Sequence, residues 1–113
     1  MADDYMYKGA TPTLTFTFPD TVDVTLAYKL WLTFTDTSKE ANILFDRTLQ
    51  DNEVEVSGNT VTTTLTQQDT LSCPSEVLVQ CNFLFTDGTL IRRVPSDVVG
   101  LRFKRNLKPV VLE

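Results

Sequence analysis

The chain has 113 residues, enough for one domain with a self-sufficient hydrophobic core and too few for two. Its apolar content of 42% and charged content of 22% are those of an ordinary globular domain, which excludes disorder as a description of the whole. The formal net charge of −5 excludes a general nucleic-acid binder, because displacing counterions from phosphates takes an excess of Lys and Arg.

Residues 1–9 read as an N-terminal arm carrying Tyr5, Met6 and Tyr7. From Thr11 to Phe18 the sequence alternates strictly, placing Leu14, Phe16 and Phe18 on one face and β-branched threonine on the other. Pro12 and Pro19 bound this strand and put it at a start or an edge. A second strand is predicted from Leu26 to Thr35, with Tyr28, Leu30, Leu32 and Phe34 facing the core. The lone tryptophan, Trp31, then points away from it. A third strand, Asn42 to Thr48, is expected to bury Ile43 and Phe45 or else Leu44. Val54–Val56 and Val61–Leu65 form a hairpin whose Gly58-Asn59 loop supplies positive φ angles. Thr66 and Asp69 make a capping box for one short helical turn, which Pro74 limits. Glu76 to Thr86 is a long strand with Val77, Val79, Cys81, Phe83 and Phe85 on one face. Asp87-Gly88 signals a type I′ turn into a returning strand, Thr89 to Val94. Pro95 breaks that strand, Val98 to Lys104 gives another, and Leu107 to Leu112 is a candidate last edge strand within a basic and apolar segment, residues 104–113. The expectation is a single antiparallel β-sandwich spanning residues 1–113, immunoglobulin-like or jelly-roll-like, with about eight strands.

Charge is divided unevenly along the chain. Residues 1–91 carry four basic side chains against thirteen acidic ones. Residues 92–113 carry six basic ones (Arg92, Arg93, Arg102, Lys104, Arg105 and Lys108) against Asp97 and Glu113. An acidic body with a basic segment suits head-to-tail packing of copies, and it equally suits a domain that neutralises itself. The acidic first ten residues contain no apolar run, so no secretion signal is expected. No stretch approaches the ~20 apolar residues of a membrane span, so no membrane partner is expected either. Cytoplasmic synthesis keeps Cys73 and Cys81 reduced and unpaired, with Cys81 a small core residue.

Catalytic chemistry finds little to work with. The absence of histidine removes the usual activation of a serine or cysteine nucleophile and the commonest zinc ligand. Four well-separated glycines make no phosphate-cradling loop. Glu53 and Glu55, with Asp46 or Asp51 nearby, are the only carboxylates placed for glycosidase-type pairing, and as strand carboxylates beside turns they read first as a solvated face. Asp51, Asn52 and Glu53 lack the spacing and glycine of a calcium loop. The expectation is therefore no catalytic residue, no cofactor and no metal. Trp31, with Tyr5, Tyr7 and Tyr28 as companions, suits a carbohydrate platform, but it reads first as packing under a loop or against a neighbouring subunit, where large aromatics concentrate. Candidate contact residues are Tyr5, Tyr7, Trp31, Arg92, Arg93, Arg102, Lys104, Arg105 and Lys108.

Lys8 to Pro19, Gly58 to Val61, Leu65 to Leu71 and Thr86 to Gly88 together span most of the chain. In order and spacing these stretches resemble a group of small phage and prophage proteins of Gram-positive, often gut, bacteria. The opening is also similar to the N-terminal β-sandwich of phage upper baseplate proteins, which anchors receptor-binding machinery to the tail. The resemblance implies a non-enzymatic virion structural protein, of the tail or baseplate, present in several copies. Its partners would be copies of itself and other virion proteins. Alternatives are a module binding host cell-wall polysaccharide and a head-decoration or head-fibre protein. Residues 102–113 depart from the group by being more basic and more apolar.

Overall fold

Alternation of apolar and threonine side chains builds two sheets of unequal size. The computed structural model of the chain describes residues 5–113, so the first four residues of the predicted arm lie outside the described ones. The strands are β1 (Met6–Tyr7), β2 (Thr13–Thr17), β3 (Lys29–Thr35), β4 (Ile43–Thr48), β5 (Glu55–Ser57), β6 (Thr60–Thr64), β7 (Glu76–Asp87), β8 (Leu90–Pro95) and β9 (Val99–Lys104). The helix α1 spans Gln67–Leu71. The larger sheet runs β1-β9-β7-β3-β4, with β8 also on β7, and the smaller runs β2-β6-β5. The all-β expectation holds, with the sheets packed together.

The core lies between them. Leu30, Leu32 and Phe34 of β3 sit opposite Phe83, Cys81 and Val79 of β7, and all six are buried. Val61 and the partly buried Leu14 and Phe16 close over them from the smaller sheet, and the Phe18 ring meets Phe83 edge-on at 5.0 Å. The outer face of the smaller sheet is threonine throughout β2. Thr13 and Thr15 bond across to Thr64 and Thr62 through their hydroxyls at 2.9 and 3.3 Å. The capping box forms as expected: the Thr66 hydroxyl accepts from the Asp69 N–H, and Asp69 accepts from the Thr66 N–H. Arg47 of β4 pairs with the Asp69 carboxylate and ties α1 to the larger sheet.

Several expectations need correction. The second strand begins at Lys29 rather than Leu26, because Asp23 caps a 3-10 turn over Val24–Leu26. Tyr28 is consequently exposed. Ile43 is exposed, because a bulge opposite Phe34 and Thr35 inserts Leu44 and breaks the period-two parity. Phe45, not Ile43, stacks on Phe34 at 4.6 Å. Asp87 stays in its strand opposite Leu90, so the turn is Gly88-Thr89. Only Gly88 has positive φ there, and only Gly58 in the other hairpin, which is the pattern of type II′ rather than I′ turns.

The break at Pro95 is local. Asn82 lies opposite Pro95 and Val79 opposite Val99, so three residues (Ser96, Asp97 and Val98) face two. β8 and β9 are thus one course along the same edge of β7, interrupted by a bulge in which the Ser96 Oγ accepts from the Cys81 N–H at 2.9 Å. The pairing is not wholly antiparallel, since β1 runs parallel to β9. Leu107 to Leu112 is not a strand. Pro109 lacks a donor, the Asn106 side chain takes the Lys108 N–H, and the Gln67 amide takes both backbone groups of Leu112. No helix among the described residues is long and apolar enough to cross a membrane.

Candidate functional site

The side chains with open chemistry lie on the outer face of the larger sheet. Trp31 occupies the predicted outward face of β3 and is half-buried. Register then decides its neighbours. Asn82 of β7 lies directly opposite Trp31, Asp46 of β4 opposite Thr33, and Arg93 of β8 opposite Leu84. These residues and Ile43 line a shallow depression of about 320 Å³. The Thr33 hydroxyl donates to Asp46 Oδ1 at 2.6 Å, and Arg93 Nε donates to Asn82 Oδ1 at 3.0 Å. Those bonds leave Asp46 Oδ2, the Asn82 amide N–H groups and the terminal guanidinium nitrogens of Arg93 available around an indole face. An aromatic plate beside a carboxylate, an amide and a guanidinium can stack on the C–H face of a sugar ring and bond its hydroxyls.

The other candidate residues divide by position. Tyr5, Tyr7 and Lys104 gather where β1 meets β9: the tyrosine rings meet edge-on at 5.7 Å, and the Lys104 ammonium sits 3.7 Å from the Tyr5 ring centroid. Arg102 lies on the same strand opposite Glu76. Arg92 points the other way from Arg93 and covers the Phe85 ring at 5.5 Å. Arg105 and Lys108 are exposed in the segment after β9. The structure therefore brings Trp31 and Arg93 together and sets the other seven apart from them. Sequence reasoning missed Asp46 as a partner of Trp31. The available signal was the pair Gln80 and Asn82, polar residues on the outward face of β7.

The remaining chemistry is committed to structure. Asp51 Oδ2 accepts from the Thr48 hydroxyl at 2.7 Å, and Glu53 Oε1 accepts from the Thr48 N–H at 3.0 Å, so both carboxylates hold the loop after β4. Glu55 stands across from Thr62 on the outer face of the smaller sheet. Among the described residues no group of three or more His, Cys, Asp or Glu side chains is placed to hold a metal ion. Cys73 and Cys81 are free and buried, and burial pushes their thiols up to about 11 and about 12. The proximity of the Asp69 charge adds to the rise at Cys73.

No family model matches the chain, and no curated protein matches it.

Proposed function

We propose that the chain is a non-enzymatic structural module of a bacteriophage particle, placed in the tail or baseplate, that docks on copies of itself and on other virion proteins. The observation that carries the assembly reading is the surface of residues 90–112. Leu90, Ile91, Val98, Val99, Leu107, Val110, Val111 and Leu112 are all exposed there, in the same stretch as six of the ten basic side chains. Leu90 and Ile91 lie at one end of β7, opposite Asp87 and Thr86, whereas Leu107, Val110, Val111 and Leu112 fall together in one short segment beside Arg105 and Lys108. A run of exposed apolar side chains bordered by charge marks a surface that is covered in use. The phage assignment is supported by the resemblance of residues 8–19, 58–61 and 65–71 to small phage proteins.

The test is sedimentation of the purified chain over a wide concentration range, together with mass spectrometry and labelling of purified particles. A concentration-dependent multimer and a tail location are expected. A chain that stays monomeric and is absent from particles overturns the reading, and a head location moves it to the decoration alternative.

A second reading, binding of host cell-wall polysaccharide, is favoured by one specific observation: the ring of Asp46, Asn82 and Arg93 about Trp31. It predicts that Trp31→Ala abolishes binding to host cell walls with the circular dichroism spectrum unchanged. Failure of the wild type to bind those walls refutes it.

A further inference from the structure

The two sheets are left open along β2. Among the described residues that strand pairs only with β6. The Phe18 N–H bonds to the Asn59 carbonyl and the Leu65 N–H to the Pro12 carbonyl, so the even-numbered residues turn their backbone toward β6. By the alternation of an antiparallel ladder, Thr13, Thr15 and Thr17 turn their N–H and C=O groups to the free edge. Beside this edge is a cleft of about 410 Å³, in the range of ~300–1,000 Å³ typical of ligand-sized sites. Phe16, Phe18 and Val22 wall it on one side, and Val94 and Val99 on the other. Free edges are normally blunted by charge, proline or a bulge. Within Thr13–Thr17 there is none of these.

The segment Leu107–Leu112 has the opposite deficiency: apolar side chains and no strand to join. Val110 and Leu112 are 52% and 60% exposed, and period two would put them on one face once the segment is extended. The Gln67 side-chain amide donates to the Leu112 carbonyl at 2.9 Å and accepts from its N–H at 2.7 Å, offering the two groups a neighbouring strand would offer. We infer that Val110–Leu112 of one copy adds as a strand to the β2 edge of a second copy, seating Val110 and Leu112 in the cleft. This rests on the assembly reading and names its contact.

Two observations favour a second copy over the chain's own cleft. The root of the segment is pinned by Asn106, which donates to the Lys8 carbonyl, and its far end lies with Val111 beside Thr11 and Gln67, at the start of β2. The cleft opens at the other half of β2, beside Thr15 to Pro19. Charge also matches: Arg105 and Lys108 precede the inserting residues, and Asp97 lines the cleft with Asp20 next to Pro19. Strand addition of this kind draws affinity from main-chain bonds and specificity from alternate side chains.

The test uses the full chain in two single-defect forms. Val110→Asp with Leu112→Asp spoils the inserting segment at exposed positions. Thr15→Pro removes one edge N–H that β6 does not use, and Val94→Glu spoils the cleft wall independently, should the proline variant fail to fold. Sedimentation is expected to show each form monomeric where the wild type is multimeric. An equimolar mixture of a segment-defective and a cleft-defective form should give a dimer and nothing larger, since one good segment then meets one good cleft. Multimers that survive both defects overturn this inference and leave the assembly reading standing. A wild type that is monomeric at every concentration overturns this inference, and the assembly reading falls with it when the chain is also absent from particles. A labelled Arg105–Glu113 peptide that binds the segment-defective form but not the wild-type monomer shows self-occupation, which also overturns the second-copy contact.

Discussion

Thr70 is a wholly buried polar residue that joins three parts of the chain, and its replacement by valine isolates what that junction contributes. Its hydroxyl accepts from the Gly9 N–H at 2.8 Å and donates to the Ala10 carbonyl at 2.8 Å. α1 is thereby clamped to the link between β1 and β2. Valine has nearly the same shape, so no cavity forms, and the cost comes from the two bonds alone. A typical intramolecular hydrogen bond contributes about 0.5–1.5 kcal/mol, and a buried group left unpaired costs about 1–3 kcal/mol. Gly9 and Ala10 are only half-buried and recover part of that from water. The expected loss is therefore roughly 2–3 kcal/mol, a large fraction of a domain stability of about 5–15 kcal/mol. Urea denaturation reads it directly. With a slope of about 1–3 kcal/mol per molar for a chain of this size, the midpoint should fall by roughly 1–2 M. Thr70→Ser keeps the hydroxyl and should retain most of the stability, and hydrogen exchange at the Gly9 amide should quicken in the valine variant alone. A valine variant within about 0.5 kcal/mol of the wild type, the range of an ordinary surface change, refutes the clamp.

Three further outcomes follow from other contacts. Burial pushes the Asp69 carboxyl up, but its bonds to Arg47 and Thr66 outweigh this and hold it below its ordinary value. Its contribution is therefore complete above the unfolded value of about 3.9 and is lost as pH falls through the lower folded value. Asp69→Asn should accordingly flatten the acid limb of stability measured by thermal melts, and an unchanged limb contradicts the pairing. Cys73 and Cys81, with their thiols raised to about 11 and about 12, should resist a thiol reagent at pH 8 in the native chain and react fully in urea. Fast native labelling of either shows that it is not buried as described. Phe83→Ala removes a ring packed edge-on against Phe18 and stacked on Phe85, and should cost about 3–5 kcal/mol by the same urea assay.

What the sequence made legible was everything that depends on period two within one strand. The buried side of β7, the threonine face of β2, the outward Trp31 and the capping box at Thr66 each need only local spacing, and each is present. Apart from the start of β3, which the local Asp23 cap moves to Lys29, the misplaced strand features depend on pairing between distant strands. The sequence left Ile43 with Phe45, or else Leu44, as the buried set, because strict alternation cannot anticipate the extra residue at Leu44, which exists only relative to β3. Leu44 and Phe45 both pack on the core and Ile43 does not. Val98–Lys104 was read as a strand separate from β8, because the bulge at Ser96 is visible only against Gln80 and Cys81. The depression about Trp31 is legible residue by residue but not as a site, since Asp46, Asn82 and Arg93 come from three strands whose order the sequence does not state. The segment after β9 looked like a strand by composition. It is not one here: the side chains of Asn106 and Gln67 take the backbone groups of Lys108 and Leu112, and the Val110 N–H turns back to the Lys108 carbonyl.

The two proposed surfaces are physically separate, and that separation makes their joint behaviour testable. Trp31 faces outward from the larger sheet, whereas the cleft lies between the sheets at the edge of β2. Defects in one should leave the intrinsic property of the other unchanged, because sites without shared partners act additively. Assembly nevertheless multiplies Trp31 depressions on one particle, and linked sites gain apparent affinity by about 10²–10⁴ with no new contact. If both readings hold, Val110→Asp with Leu112→Asp should weaken attachment to a polysaccharide-coated surface by a factor in that range. The same change should leave the affinity for a short soluble oligosaccharide as it is in the wild type. Trp31→Ala should abolish both while the multimer persists. An assembly-defective form that holds the coated surface as tightly as the wild type uncouples the surfaces and leaves the Trp31 depression acting in single copies.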